Sequence, residues 1–336
     1  MTAAVDQGTT RDVRGLRTGA VNDVLRRFGL VFVFVAVVIL FSLLPSTRAI
    51  FPTHVNIVTL LGNQTVGLVI AMECVVPLTA GILDLSVGAI AGAASITTAA
   101  AMSRWEQPLV VAIALGMLVG VLIGVVNGWL ITRFALDPII ETLAMSMLLG
   151  GLMVWYTGGS PIIGNFDESF QDFGSLNWVG VPRLMVVLVP VILVVWYITE
   201  HTPFGRGLAA IGSNARAAAL VGIRVDRSIW ASLVASGFLA GLAGVLLTAR
   251  GGSADVQTGP SFLFPALAAV FLGATAIKPG VPNVFGAVIG GLFVAAAVSG
   301  LSIAGAAYWA PGVFNGAALL IAVWMMATFN KRRTAH

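Results

Sequence analysis

Two carboxyl groups in apolar surroundings are the side chains best placed to do chemistry in this chain. Glu73 lies deep in a long apolar segment, and Asp84 follows it in a short motif that also contains Ser86. A carboxylate at the centre of a membrane-spanning helix costs on the order of 2.5–3.5 kcal/mol to insert, so it should face a cavity or a polar partner. Asn127 is a further polar residue within an apolar segment. We expect these four residues to line a path for a polar solute.

Three interpretations of Glu73 stay open. Its carboxyl can line the path, it can couple transport to protons, or it can be a neutral or hydrogen-bonded group that locks helices together. Asn127 has a similar alternative, since intramembrane amides often join helices by hydrogen bonds. Glu141 follows Asp137 and Pro138 in the first turn of a predicted helix. The helix dipole favours an acid there, so we expect a structural role for Glu141.

A break in a helix is predicted just before Asp84. Pro77 and Gly81 interrupt the hydrophobic pattern, and Asp84 and Ser86 can cap the helix that follows. Irregular backbone at membrane depth is tolerated only where it is buried in protein or lines a cavity. The motif therefore indicates a functional position.

Few residues offer other chemistry. The one cysteine, Cys74, cannot form an internal disulfide, and the three histidines lie far apart at His54, His201 and His336. No nucleophile–base pair or metal-ligand set can be assembled from them, so neither a catalytic residue nor a metal site is predicted. A Walker A loop needs Gly-Lys, and both lysines of the chain follow other residues. Any work driven by ATP must therefore come from another subunit.

The composition places these residues in a membrane. Hydrophobic residues make up 58% of the chain and charged residues 10%. A soluble domain has about 25% charged residues, so this chain could not cover a water-facing surface. At roughly 20 residues per span plus loops, 336 residues allow about ten helices. We predict an all-α integral membrane protein with about ten transmembrane helices.

Charge distribution between the loops predicts the orientation of these helices. The predicted spans are residues 28–44, 55–79, 86–102, 108–132, 138–156, 184–199, 228–249, 262–277, 284–301 and 311–329. With the N-terminus in the cytoplasm, 14 of the 18 lysines and arginines fall inside, and the acidic loop 157–183 falls outside. Both termini are then cytoplasmic. The chain comprises an arm, 1–27, one transmembrane domain, 28–330, and a basic tail, 331–336.

A weak internal symmetry suggests two inverted halves, made of spans two to five and seven to ten. Glycines recur four residues apart in the fourth and ninth spans: Gly116, Gly120, Gly124, Gly128, Gly286 and Gly290. Small residues at this spacing let helix backbones approach closely. Inverted halves around a central path are typical of transporters. The alternative is chance, because glycine is common in this chain.

The most basic interruption between two apolar segments is 203–225, which reads PFGRGLAAIGSNARAAALVGIRV. Asn214 can serve as an N-cap and Gly222 as a stop, which predicts a helix of about two turns. A short capped helix in a basic cytoplasmic loop suits docking on a partner better than catalysis.

Three motifs in order resemble those of ribose-type ABC permeases, the membrane subunits of bacterial monosaccharide importers. GILDLSVGAIAG at 81–92 is similar to the family's Gly-Gly-Ile-Asp-Leu-Ser-Val-Gly signature, with Ile82 in place of the second glycine. AIGSNARAAALVGIRV at 210–225 resembles its cytoplasmic segment; the matching residues are Gly212, Asn214, Ala217, Ala218, Gly222 and Ile223. AALAAVFLGATAI, followed by GAVIGGL, resembles its C-terminal segment. The resemblance covers about residues 30–330.

The resemblance implies several partners. They are cytoplasmic ABC ATPase subunits that bind ATP and Mg, a second permease subunit in a homodimer or heterodimer, and an extracytoplasmic solute-binding protein. Segment 203–224 would be the coupling helix that fits a groove in the ATPase. The family works in the lipid of the bacterial cytoplasmic (inner) membrane as a multi-pass protein, with no cofactor in this chain and no nucleic acid.

The solute and the energy source have alternatives. A sugar, a sugar alcohol or a furanosyl signal molecule would fit, since Ile82 and the KPGVPN turn at 278–283 depart from the family pattern. A self-sufficient carrier driven by protons through Glu73 or Asp84 is the alternative to an ATP-driven permease. A membrane enzyme is the third hypothesis, and the scattered histidines argue against it.

Overall fold

The computed structural model describes residues 13–164 and 166–334, with side chains described for 28–164 and 166–328. The described helices are α1 (Val13–Leu43), α2 (His54–Thr79), α3 (Val87–Ser103), α4 (Leu109–Phe134), α5 (Pro138–Thr157), α6 (Glu168–Ser175), α7 (Met185–His201), α8 (Pro203–Leu220), α9 (Val225–Gly251), α10 (Thr258–Ser261), α11 (Leu263–Gly273), α12 (Val284–Ile303) and α13 (Ala310–Thr334). One antiparallel hairpin joins β1 (Asn177–Trp178) to β2 (Val181–Pro182). The outermost residues of the predicted arm and tail, 1–12 and 335–336, lie outside the described residues.

Within the described residues, six helices are long and apolar enough to cross a membrane: α2, α4, α5, α9, α12 and Ala310–Thr328 of α13. α7 and α8 form a seventh if this pair, bent by 67°, is one span. Three apolar helices are shorter: Phe28–Leu43, Val87–Ser103 and Thr258–Gly273. The predicted all-α membrane protein is confirmed, with six or seven spans by length and composition. Ten spans, cytoplasmic termini and the inverted repeat stay predictions.

The predicted first span, 28–44, matches the apolar part of α1, Phe28–Leu43, although the described helix already includes Val13. One boundary differs from the prediction. The predicted eighth span, 262–277, corresponds to α11, which ends early, at Gly273; the short α10 precedes it. The chain after Gly273 forms turns, with left-handed backbone at Ile277 (φ +61°) and Gly280 (φ +84°).

Glycines bring the backbones of α4 and α9 together. A Cβ atom added at Gly120 would overlap the carbonyl oxygen of Gly237 and lie 2.7 Å from the Cα of Gly241. The contact is reciprocal, because a Cβ atom at Gly237 would overlap the carbonyl oxygen of Gly120. The close helix packing predicted from the glycines of the fourth span is therefore confirmed.

The glycines of α12 pack against the helix that precedes it in sequence. Cβ atoms added at Gly286 and Gly290 would overlap the carbonyl oxygens of Gly273 and Ala269, which belong to the adjacent α11. α4, in contrast, uses its glycines mainly against α9, which is distant in sequence. The shared glycine spacing by itself is therefore no support for a repeat.

Loops make contacts at both ends of the helices. At one end, Arg250 donates from Nη2 to Asn63 Oδ1 at 2.7 Å and from Nη1 to the carbonyl oxygen of Gly174 at 3.2 Å. At the other end, Lys278 Nζ lies 2.8 Å from Glu200 Oε2. These contacts connect segments that are far apart in sequence.

Replacing Gly120 by leucine should destabilise the protein, because α4 and α9 leave no space for a side chain there. Overpacking of this kind costs about 1–3 kcal/mol or more. Gly151 on α5 is the matched control, since no atom lies within 4 Å of a Cβ added to it. We expect Gly120→Leu to lower the thermal midpoint of the purified protein in detergent and Gly151→Leu to leave it unchanged. Equal midpoints would contradict the α4–α9 packing.

Candidate functional site

A polar cluster is buried where α2 gives way to α3. Its members are Glu73 of α2, Asp84 and Ser86 of the link between α2 and α3, Asn127 of α4 and Ser236 of α9. Each of the five residues is at most 4% exposed. The structure thus brings together the four residues predicted to line a path. It adds Ser236, which sequence analysis missed.

Hydrogen bonds connect the five residues. Asp84 Oδ1 accepts from the backbone N–H of Ser86 at 2.8 Å and from the Ser86 hydroxyl at 2.6 Å. Ser86 Oγ in turn accepts from Asn127 Nδ2 at 2.9 Å. Ser236 Oγ lies 3.1 Å from Glu73 Oε1 and 3.3 Å from Asp84 Oδ2. The cluster therefore ties α2, α4 and α9 to the link between α2 and α3.

The predicted helix break is confirmed, although its capping differs from the prediction. α2 continues past Pro77, and the chain turns at Gly81, where φ is +78°. α3 begins after Ser86, whose side chain makes no capping hydrogen bond. The Ser86 hydroxyl binds Asp84 and Asn127 instead, because a hydrogen bond to a carboxylate is stronger than one to a neutral group.

The cluster is packed in this conformation, not open to solvent. Glu73 and Ser236 are both fully buried, in the same core that contains Met72 and Ala243. The geometry matches the interpretation of Glu73 as a hydrogen-bonded carboxyl between helices. Its part in a solute path or in proton coupling stays a prediction.

A pattern of small residues on α9 could have pointed to Ser236. Ser232, Ser236, Ala240 and Gly244 follow one another at intervals of four. This spacing is typical of a closely packed helix face in a membrane. A serine on such a face can bond within its own helix, as Ser232 does with the carbonyl oxygen of Ile229, or to a neighbouring helix, as Ser236 does with Glu73 of α2.

Glu141 lies close to the cluster, on α5. The Asp137 carboxylate caps this helix by accepting from two backbone N–H groups of its first turn, at 3.0 and 3.1 Å. The backbone N–H of Leu85 donates to Thr142 Oγ1 at 3.1 Å, which joins α5 to the link between α2 and α3. The Glu141 carboxyl is buried and has no hydrogen-bond partner among the described residues. Its structural role remains a prediction.

The predicted coupling segment folds as two helical pieces joined at Asn214. α8 is divided there because Asn214 has extended backbone, with φ −159° and ψ 102°. Asn214 Oδ1 accepts from the backbone N–H of Ala217 at 3.0 Å, so the predicted N-cap is confirmed. The predicted stop is confirmed too, at Gly222 with φ +88°. The helix before Asn214 was not predicted, because its glycines have low helix propensity.

Gly212 seats this segment on the end of α2. A Cβ atom added at Gly212 would overlap the carbonyl oxygen of Thr79 and lie 3.2 Å from the carbonyl carbon of Ala80. Leu208 and Ile211 of α8 are buried in the same core as the end of α2. Only glycine fits this approach of two backbones. The 81–92 motif and the 210–225 motif are therefore in direct contact.

Exposure divides the residues of the coupling segment into two groups. Ala218 is 3% exposed, so its side chain packs inside the subunit, and Ile223 is half-buried. Ala217 is exposed. Leu220 and Val221, which sequence analysis did not single out, are 89% and 77% exposed. Two large apolar side chains thus project from the end of the capped helix.

Comparisons with known proteins agree with this arrangement. The family described as "Branched-chain amino acid transport system / permease component" matches residues 56–323. The ribose import permease protein of Bacillus subtilis is 35% identical over 86% of this chain and 89% of its own length. The ribose import permease protein of Escherichia coli K12 is 32% identical over 94% and 98% of the two chains.

A second sugar permease shows comparable similarity. The D-allose transport system permease protein of Escherichia coli K12 is 33% identical over 82% of this chain and 84% of its own length. No solved structure matches the chain. The chain therefore belongs to the family of permease components of branched-chain amino acid transport systems and, within it, to the ribose-type ABC permeases.

Proposed function

We propose that this chain is the transmembrane subunit of an ABC importer that carries a monosaccharide or a related small polar solute across the cytoplasmic membrane of a bacterium. The observation that carries the proposal is the capped, exposed helix of α8, seated by Gly212 on the break before Asp84. The names of the relatives, which refer to ribose import, D-allose transport and autoinducer 2 import, support a sugar-like solute.

Partner subunits supply the energy and the solute. ATP and Mg bind to cytoplasmic ABC ATPase subunits, and ATP draws the ATPase pair together. The α8 segment moves with the ATPase, and its seat at Gly212 passes the movement to residues 79–81. A second permease subunit, identical or homologous, completes the path, and an extracytoplasmic solute-binding protein delivers the solute.

The polar cluster is the inner part of the path, in its closed form. Glu73, Asp84, Ser86 and Asn127 become accessible when α2 and α9 separate. Carboxyl, hydroxyl and amide groups both accept and donate hydrogen bonds, which suits the hydroxyl groups of a sugar. The side chains are buried when the path is closed, which explains their low exposure here.

The chain crosses the membrane ten times, with both termini in the cytoplasm. The six long helices, the three shorter apolar ones and α7 of the bent pair together give ten. Contacts between loops support the predicted assignment of these loops to a common side of the membrane. The Lys278–Glu200 pair joins two loops predicted inside, and the Arg250–Gly174 hydrogen bond joins two predicted outside. The transmembrane domain is then 28–330, between a cytoplasmic arm, 1–27, and a tail, 331–336.

The inverted repeat of spans two to five and seven to ten receives support from helix neighbours. α4 packs on α9, and its counterpart α12 packs on α2. α3 packs on α9 and α5, and its counterpart α11 packs on α2 and α13. These contacts of the first half thus have equivalents in the second half when α2 and α9 are exchanged.

A self-sufficient carrier driven by protons through Glu73 or Asp84 is the alternative. The relatives named above support the ABC permease and give this carrier no support. Solute transport by the purified chain alone, driven by a pH gradient, would establish the alternative.

Leu220→Glu should abolish ATP-driven uptake while leaving the subunit folded, because this side chain is 89% exposed in the isolated chain. Burial of a leucine in a partner's groove is worth about 1.5–3 kcal/mol, or roughly ten- to hundredfold in affinity. We expect uptake into proteoliposomes containing the complete transporter to fall at least tenfold, with an unchanged thermal midpoint of the subunit.

Val179→Glu is the matched control for this prediction. Val179 is an exposed apolar residue in the turn between β1 and β2, at the opposite end of the molecule from α8. The same substitution of an exposed apolar residue by glutamate there should leave ATP-driven uptake as in the wild type. Normal uptake by Leu220→Glu would contradict the proposal that α8 docks on the ATPase.

Gly222→Val should impair uptake through the backbone alone. No atom lies within 4 Å of an added Cβ, but φ is +88°, a conformation that costs a β-branched residue about 1–3 kcal/mol. Gly222→Asn is the control, since asparagine adopts positive φ more readily. We expect a severalfold lower rate of ATP-driven uptake for valine than for asparagine. Equal rates would show that the turn does not position the coupling helix.

A further inference from the structure

The Ser236 hydroxyl lies between two carboxyl groups. Its oxygen is 3.1 Å from Glu73 Oε1 and 3.3 Å from Asp84 Oδ2, both within hydrogen-bond distance. A serine hydroxyl has one hydrogen to donate and can accept with its lone pairs. Two ionised carboxylates could share only that one hydrogen. Both contacts are full two-centre hydrogen bonds only if one of the two carboxyl groups carries a hydrogen.

Counting donors identifies Asp84 as the ionised carboxyl. Asp84 Oδ1 accepts both the backbone N–H and the hydroxyl of Ser86. The Ser86 hydroxyl points its hydrogen to Asp84, because its oxygen already accepts from Asn127 Nδ2. With Ser236 as a donor to Oδ2, the Asp84 carboxylate receives three hydrogen bonds.

Glu73 has a poorer environment for a negative charge. Its one side-chain hydrogen-bond contact among the described residues is Ser236, and Oε2 has no partner. No lysine, arginine or histidine with a described side chain forms an ion pair with Glu73 or Asp84. A buried charge without partners is strongly destabilising, whereas a neutral carboxyl can donate to Ser236.

We propose that Glu73 is protonated and is the donor end of a hydrogen-bond relay that runs from Glu73 O–H to Ser236 Oγ, and from Ser236 O–H to Asp84. The relay joins α2 and α9 to the link between α2 and α3. Its two carboxyl groups together carry one negative charge, on Asp84. Glu73 is thus a positioning residue, and its side chain must be neutral and able to donate a hydrogen bond. This goes beyond the proposed function, and it holds whichever solute is carried.

Infrared spectroscopy of the full-length protein in detergent tests the proton directly. A protonated carboxyl and a carboxylate have separate C–O stretching bands. The difference spectrum of wild type minus Glu73→Gln should contain the carbonyl band of a protonated carboxyl. Appearance of carboxylate bands in that difference would overturn the proposal.

Ser236→Ala provides an independent infrared test, which also serves if Glu73→Gln fails to fold. Removing the acceptor Ser236 Oγ should shift the carbonyl band of Glu73 to higher frequency, because its hydroxyl loses a hydrogen bond. Glu141→Gln is the control and should leave the Glu73 carbonyl band in place, since Glu141 has no hydrogen bond to the relay. A carbonyl band that Ser236→Ala leaves in place would exclude the Glu73–Ser236 bond.

Thermal stability tests the role of the donor. Glu73→Gln keeps a neutral donor at this position and should keep the wild-type midpoint, whereas Glu73→Leu removes it and should lower the midpoint by about 2 °C or more. Ser236→Ala should cost less stability in the Glu73→Leu background than in the wild type, because the Glu73–Ser236 bond is already lost and only the Ser236–Asp84 bond remains to be broken. Equal loss of stability for the glutamine and leucine variants would show that an ionised Glu73 is needed. None of these tests depends on an ATPase partner, so their failure is separable from failure of the proposed function.

Discussion

The need to satisfy carboxyl groups inside a membrane domain dominates this structure. Asp84 occurs where the α2–α3 backbone is irregular, and irregular backbone is tolerated at membrane depth only when buried in protein or beside a cavity. Ser86 and Ser236 supply its hydrogen bonds, and Asn127 of α4 in turn donates to the Ser86 hydroxyl. α4 and α9 can reach the break because their glycines allow the two helices to pack backbone to backbone. The hydrogen bonding of the buried polar groups and the close packing of α4 on α9 therefore depend on each other.

The same break is the place where α8 packs against the end of α2. Gly212 approaches the carbonyl of Thr79 so closely that no side chain fits between them. Asn214 then redirects the chain, and the helix it caps ends in the exposed Leu220 and Val221. The 81–92 and 210–225 motifs, more than 100 residues apart in sequence, are thus joined by a contact between backbones.

Local signals in the sequence predicted the helix break and the capped helix. They could not predict contacts between residues that are far apart in sequence. Pro77, Gly81 and the Asn214 cap act within a few residues, so the break and the capped helix could be predicted. The spacing of small residues on α9 indicated a packed helix face, but it could not single out Ser236, whose importance comes from Glu73 on another helix. The burial of Ala218 was equally hidden, since a short Ala-rich helix does not reveal which face packs inward. The end of α11 was misjudged because hydropathy marks apolar segments, not helices.

The central claim is that the chain works as one subunit of a transporter whose ATPase is a separate protein. The most direct measurement is affinity purification of the tagged wild-type chain from its native membrane in several mild detergents, with mass spectrometry of the proteins that accompany it. The account predicts an ABC ATPase in comparable molar amount. Recovery of the chain alone in every detergent, together with transport by that purified chain, would contradict it.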